Sequence, residues 1–327
     1  MISMNIAKNF EIKIDALPNA RAFFALRAET GYLYADHTAR LGIRLNWLKQ
    51  RSQDDPLIRE LCERTQVLEY QEYPHAIDAL AACKVFVQQH SPEYQQRIHP
   101  WAGYVYLGLD AHRFPFISIS ESTNDDWQYL GPFRSRFMLA DVIDSLSRIL
   151  KLPYCETGTY PCHKFDSGAC RGWCLALAPE QESKHEHDLE KLDTLLKEAF
   201  LHPNNGIYEM IAKQRQSYFD DLEFAKADLL DDELNLLGSY RDWLQFLYVA
   251  KSLNRVSDDF EIEAGQLKSA VIDGKTHHFI TDNPPYRDNE ALALPLATVD
   301  EMKIIYDYIR EQSHALRTDE TEHHKEQ

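Results

Sequence analysis

No apolar run in this chain approaches the length of a membrane span, and Met1–Asp15 lacks the basic-then-apolar layout of a secretory leader. These absences argue against a spanning helix or an exported precursor, and the expected location is the cytoplasm. Positive charge is also scarce, with 35 Lys and Arg against 52 Asp and Glu and a net charge of −17. An acidic field repels a duplex, so a surface coated in phosphate-binding groups is excluded and only a local basic groove remains open. Internal repeats are missing. In a reducing compartment the six cysteines are not expected to form a disulfide framework.

What is present is globular: 44% hydrophobic and 11% aromatic residues, in a length that suits about two or three compact units. Alternation predicts strands at Ala22–Leu26 and Tyr32–Tyr34 around a turn at Glu29-Thr30-Gly31, and a third at Val67–Tyr70. Leu41, Leu45 and Leu48 mark a helix over Thr38–Gln50, and Ile77, Leu80, Val85 and Val87 another over 75–90. Tyr104–Leu107 and Phe114–Ile119 read as further strands. Tyr129-Leu130-Gly131-Pro132-Phe133 then leads into an amphipathic helix with a stripe of Leu139, Val142, Ile143, Leu146 and Leu150. Residues from Glu182 to Leu253 read as helical. A small hairpin unit turning at Asp273-Gly274 follows, then a helix over 298–315 and a polar tail, Arg317–Gln327, expected to be disordered.

The strongest chemical signal is Cys155-x6-Cys162-x7-Cys170-x3-Cys174, in a stretch rich in turn formers and poor in aliphatics. Four thiolates satisfy an iron–sulfur cluster or a tetrahedral zinc. Only Cys170 and Cys174 make the tight pair usual for structural zinc, so the spacing favours the cluster, with zinc as the alternative. His163 reads as a loop histidine that could also ligate.

The order of these motifs resembles the N-terminal half of the UvrC family of bacterial excinucleases. There a Tyr-Phe-Gly-Pro-Tyr-like segment, a helix and a Pro-Cys-x7-Cys-x3-Cys run follow one another, as Tyr129–Phe133, the helix and Pro161-Cys162, Cys170 and Cys174 do here. The resemblance implies a [4Fe–4S] cluster on Cys155, Cys162, Cys170 and Cys174. It also implies a GIY-YIG nuclease-like domain, whose first motif falls on Ala22-Phe23-Phe24 and second on Tyr34-Ala35-Asp36. The family's basic residue falls on His37, its catalytic arginine on Arg44, its metal-binding glutamate on Cys83, and its Arg-Pro-Arg-Tyr-Asn-like segment on Ser91–Gln95. Tyr34 and Arg44 are thus retained, whereas Phe24, His37, Cys83 and Gln95 are substituted. This nuclease class uses a tyrosine to help activate water, an arginine on the phosphate and a glutamate on one divalent metal. Phe24 offers no hydroxyl, and a thiol is a poor ligand for Mg²⁺. Asp78, five residues before Cys83, points off its helical face. The expectation is a domain that no longer cuts efficiently, with Mg or Mn relevant only if another ligand has been recruited.

From the residues alone, Tyr34 reads as a core tyrosine and Arg44 as a solvated helix arginine. The motif register sets phosphate contact beside that reading as an equal alternative for both, and Arg40, Lys49, Arg51, Arg134 and Arg136 join them as DNA-contact candidates on local charge. Arg148, Lys151, Lys164 and Arg171 also gather near the cysteines. A third resemblance lies in Asp220–Ala227 with Met210 before it, which looks like the UVR helical hairpin through which this family pairs with the excinuclease component UvrB; an ordinary antiparallel helix pair is the alternative. The expected fold is α+β, with a small GIY-YIG-like mixed sheet flanked by helices. The expected division is an extension at 1–15, nuclease-like domain at 16–100, strand-pair and helix link at 101–153, cysteine segment at 154–180, UVR-like helices at 181–254, small unit at 255–315 and tail at 316–327. The family's RNase H-like and helix-hairpin-helix regions are not expected within the residues that follow the hairpin. Three functions stay open: a DNA-binding accessory protein of excision repair, a working structure-specific endonuclease, and a pure interaction module for UvrB.

Overall fold

A computed structural model describes residues 1–6, 10, 17–124, 126–151, 163–174, 186–202, 205–281 and 291–323. The chain forms two compact units, one from Met1–Ala102, Ala250–Asn283 and Ala297–Gln327, the other from Gly103–Val249 and Pro284–Leu296.

The first unit opens with β1 (Ile2–Asn5), β2 (Ala22–Ala28) and β3 (Gly31–Thr38), followed by α1 (Leu41–Arg51), α2 (Pro56–Arg64), β4 (Val67–Glu72) and α3 (Ala76–His90). The sheet order is β1-β4-β2-β3 with every pairing antiparallel. The predicted sheet flanked by helices is therefore present, and the segment read as an extension supplies its edge strand. Strand alternation divides the core. Phe24, Leu26 and Tyr34 meet Leu41, Leu45 and Leu48 of α1 and Ile58 and Leu61 of α2, while Phe23, Ala25 and Ala35 meet Cys83 and Phe86 of α3. The sequence pattern did not reveal α2, although Asp55 caps it by accepting from the N–H groups of Leu57 and Ile58, and Pro56 occupies its first turn.

The second unit holds β5 (Val105–Leu109), β6 (Ile117–Ser120), β7 (Gln128–Phe133) and α4 (Arg136–Leu150), then the short α5 (His163–Asp166), α6 (Glu186–Leu196), α7 (Asn205–Asp220) and α8 (Phe224–Ala250). The Tyr-Leu-Gly-Pro-Phe motif is itself part of strand β7. Its Gly131 has φ +128°, and a Cβ there would lie 3.2 Å from the Val105 carbonyl oxygen, so the position tolerates only glycine. Leu139, Val142, Ile143 and Leu146 are buried as the α4 stripe. Tyr240 of α8 stacks on Phe133 at 5.6 Å and donates to the Phe200 carbonyl, and Trp243 donates to the Pro132 carbonyl at 3.1 Å.

The chain then returns to the first unit as β8 (Arg255–Val256), β9 (Phe260–Glu263), β10 (Gln266–Ile272) and β11 (Lys275–His278), a second antiparallel sheet in the order β11-β10-β9-β8. Two turns build it: the expected Asp273-Gly274, and Ala264-Gly265, where Gly265 lies against the Ala250 carbonyl too closely for any Cβ. A two-residue strand, β12 (Leu292–Ala293), joins β7 in parallel in the second unit, and Tyr106 donates to the Leu294 carbonyl beside it. The last helix, α9 (Val299–His323), runs into the stretch read as a polar tail from Arg317, of which 324–327 lie outside the described residues. No glycine or proline interrupts that stretch, so nothing in the backbone chemistry stops the helix.

Strands β9 and β10, Phe279 and α9 thus form a cover for α3. Ile77, Ala81 and Val85 on the outer side of α3 pack with Phe260, Ile262, Leu267, Ala270, Phe279 and Ile305. Glu301 of α9 fixes the arrangement. It accepts both 2.7 Å bonds from Lys84 Nζ, and its Oε1 also accepts the Leu267 N–H. No helix among the described residues is long and apolar enough to cross a membrane.

Candidate functional site

Tyr34 and Asp36 are two apart on β3 and so share a face, and Arg44 lies one turn into α1. The strand-to-helix link is held by Thr38, whose hydroxyl accepts the Arg40 N–H. Arg44 then reaches back to Asp36, donating from Nε (2.9 Å) and Nη2 (2.7 Å) to the single oxygen Oδ2. Tyr34 donates its hydroxyl to the same oxygen at 3.1 Å. The other oxygen, Oδ1, accepts the His37 N–H at 2.8 Å. Asp36 is 7% exposed. The motif contains Asp36, but the sequence reading gave it no role. The signal was available, since a carboxylate on a core strand requires a cationic partner.

The electrostatics follow from this packing. Burial pushes the Tyr34 phenol well above its ordinary range, and the Asp36 charge adds to the rise. Burial disfavours the Arg44 charge, but Asp36 and Tyr34 outweigh it and hold the guanidinium firmly protonated. Arg44 also lies 4.3 Å over the Trp47 ring, with Arg51 5.6 Å from the same ring. Arg44 is therefore not the solvated helix arginine that its residue type alone suggested.

The remaining nuclease-like positions are not gathered onto one concave surface. Phe24 is buried 6.4 Å from the Tyr34 ring, on the α1 face. Cys83 lies in the α3-side cluster of Phe23, Ala25, Ala35 and Phe86, where burial and then the Asp36 charge push its thiol upward. Strand alternation separates Phe24 and Tyr34 from Cys83, and all three are closed to solvent. His37 lies at the rim, its Nδ1 3.6 Å from Asp36 Oδ1. Gln95 caps the open edge of β3: its Oε1 accepts the Ala35 N–H, next to the Glu93 and Tyr94 backbone N–H bonds to Tyr32 and Leu33. Asp78 is half-buried, and desolvation raises its pKa. A divalent metal does not fit this arrangement, because both oxygens of its one central carboxylate are committed to protein donors. Among the described residues no group of three or more His, Cys, Asp or Glu side chains could hold a metal.

Arg40, at the entry to α1, and Lys49, in its last turn, are exposed, and Arg51 pairs with Asp55 at 3.9 Å. In the second unit, Arg134 lies 5.1 Å over Trp243 and Arg136 stands 4.0 Å from Glu121. Arg148 pairs with Glu233.

Of the four expected cluster ligands, Cys155 and Cys162 lie outside the described residues. Cys170 and Cys174 are both buried on one short turn, and the Gly172 N–H donates to Cys170 Sγ at 3.1 Å. Two buried sulfurs four positions apart, one receiving a backbone N–H, fit a soft-metal ligand set. The third region is a helical hairpin. α7 and α8 turn over at Leu222, which has φ +60°, and Arg215 pairs with Asp231 across the helices. Ala227 is buried, while the tip leaves Phe219, Leu222 and Phe224 exposed, Leu222 by 73%, and Met210 and Leu229 are exposed farther along the two helices.

Comparison with known proteins gives this arrangement a class. Residues 104–194, containing β5–β7, α4 and the cysteine segment, match the model of the UvrC/Cho excinuclease middle domain. The first part of the second unit is thus similar to an excinuclease middle domain. UvrABC system protein C of Methanosarcina acetivorans is 23% identical over 229 residues, covering 69% of this chain and 43% of that protein. The Francisella tularensis subsp. tularensis protein is 23% identical over 241 residues (71% and 38%), and that of Lactiplantibacillus plantarum 26% over 157 (46% and 24%). The chain is similar to the first two of these UvrC-family proteins over about 70% of its own length. It spans about two fifths of the length of the first of these relatives. No solved structure matches it significantly.

Proposed function

We propose that this chain acts in nucleotide excision repair as a UvrC-like accessory protein that engages DNA and an excinuclease complex without cutting. The observation carrying this reading is the single oxygen of Asp36 that absorbs Tyr34 and Arg44 together. In a phosphodiester-cleaving site an arginine must be free to meet the phosphate and a carboxylate free to meet the metal. Here arginine and carboxylate neutralise one another behind a wall of side chains, and the family's glutamate position carries the buried thiol of Cys83.

Within this reading Cys155, Cys162, Cys170 and Cys174 hold an iron–sulfur cluster, for which the buried Cys170–Cys174 pair is the support. The cluster would order a segment that has few aliphatic side chains to order it otherwise. The exposed apolar tip of the α7–α8 hairpin supports docking on a UvrB-like partner.

The test is incubation of purified full-length protein with Mg²⁺ or Mn²⁺ and with nicked, bubble-containing and damaged duplexes. No incision is expected. Robust metal-dependent nicking that Arg44→Ala abolishes would establish an active endonuclease and overturn the reading.

A further inference from the structure

The α4 stripe explains Leu139, Val142, Ile143 and Leu146, but it does not explain Phe137. This ring, in the first turn of the helix, is 83% exposed and is the most exposed aromatic side chain among the described residues. Amphipathic patterning calls for a polar residue there. One exposed apolar side chain is ordinary by itself. Phe137, however, stands in the run Arg134-Ser135-Arg136-Phe137, and its setting is built. Ser135 caps the helix by accepting the Met138 N–H at 3.2 Å, which fixes the backbone from which Arg136 and Phe137 project. Arg134 is held with its guanidinium 5.1 Å over the Trp243 ring, and Trp243 is itself anchored by its bond to the Pro132 carbonyl. No acidic residue occupies the first turn of α4. The carboxylate paired with Arg136, Glu121, is 4.0 Å away with both side chains largely in water, a pairing too weak to fix the arginine.

An exposed ring that follows two arginines in the chain suits a single nucleic-acid strand, whose bases offer π faces and whose backbone offers one phosphate per nucleotide. A regular duplex keeps its bases stacked and offers Phe137 nothing to stack on. We propose that Phe137 stacks on an unpaired base while Arg134 and Arg136 take the flanking phosphates, so that this corner of the second unit binds single-stranded or unwound DNA. The inference deepens the DNA-engaging part of the proposed function and rests on it. It adds a residue, Phe137, and a strand preference that the charges alone do not supply.

The experiment measures fluorescence anisotropy of the full chain with a labelled oligonucleotide, single-stranded or annealed, at several salt concentrations. Phe137→Ala is expected to weaken single-strand binding about tenfold, with little effect on the duplex, and Phe137→Trp to retain it. Arg134→Gln with Arg136→Gln is expected to lower the single-strand salt slope by about 1.4, the value for two phosphates. Because the Phe137 ring is almost fully in solvent, Phe137→Ala leaves the unfolding midpoint unchanged, which separates contact from fold. Single-strand binding by the wild type that Phe137→Ala leaves unchanged overturns this inference and leaves the proposed function standing. Wild-type protein that binds neither form of DNA overturns the inference and the DNA-engaging reading together.

Discussion

Arg44 directs two N–H groups at one oxygen of Asp36, Oδ2, at 2.9 and 2.7 Å, and leaves Oδ1 to the backbone of His37. The pair is largely buried, with side-chain exposures of 17% and 9%. Removing one member of such a pair strands the other charge. Asp36→Asn is therefore expected to destabilise the protein by about 3 kcal/mol, and Arg44→Met by a similar amount. The double variant should cost clearly less than the sum, because neither charge is then left alone. Urea unfolding of the four proteins measures this, and strict additivity would show that the two side chains do not depend on each other.

Alkaline pH provides a second test. Burial raises the phenol pKa of Tyr34 and of Tyr240 well above the ordinary value. A group whose folded pKa is raised contributes its full stability below the unfolded pKa and loses it as pH climbs towards the folded one. Stability should accordingly hold to about pH 9 and fall steeply above about pH 10, where the unfolded tyrosines ionise. The tyrosinate absorbance should lag for these two residues and appear with unfolding. A smooth titration of all tyrosines near pH 10 in still-folded protein would contradict the burial on which the site rests.

The Lys84–Glu301 contact tests the role of the C-terminal return. Glu301→Ala leaves Lys84 Nζ and the Leu267 N–H without their acceptor and is expected to cost about 1–3 kcal/mol. Glu301→Gln keeps an acceptor for Leu267 and should cost less. Residues 1–102 expressed alone would expose Ile77, Ala81 and Val85 to water and should aggregate, as sedimentation would detect. A monomeric, cooperatively folding 1–102 fragment would show that the second sheet is dispensable.

Much of this architecture was legible in the sequence because it depends on local period. The β2–β3 hairpin and α4 follow from alternation and from a 3.6-residue stripe. β1 could not be read that way, since Ile2–Asn5 becomes a strand only through its pairing with Val67–Tyr70. The double-sided burial of α3 did leave a trace: Ile77, Ala81 and Val85 form one apolar row beside Ala79, Cys83 and Phe86, which is more than a single buried face requires. At the site, motif register located Tyr34 and Arg44, but the side-chain bonds joining them through Asp36 are tertiary facts. The same holds for Cys83, whose apolar surroundings of Phe23, Ala25, Ala35 and Phe86 make Cys83→Glu a buried unpaired carboxylate rather than a simple restoration.

The cysteine segment carries the remaining expectation. Cys170 and Cys174 are buried where the neighbouring chain is Arg171, Gly172 and Trp173, and an N–H points at the Cys170 sulfur. A neutral buried thiol gains little from that donor. A thiolate gains more, because a charged acceptor strengthens the bond, and a soft metal keeps the sulfur deprotonated. Anaerobically purified protein is therefore expected to contain iron and acid-labile sulfide in equal amounts and to show the broad visible absorbance of a cluster. Cys170→Ser should remove most of the iron, and since ligation and local folding are linked, protease cleavage within 151–175 should become faster in the variant. Chelation of the wild-type protein should reproduce that cleavage. Stoichiometric zinc without sulfide would assign the four thiolates to a tetrahedral zinc instead. Protein free of both metals, with cleavage of 151–175 unchanged by Cys170→Ser, would show that the buried sulfurs are packing groups and that this segment is ordered by other means.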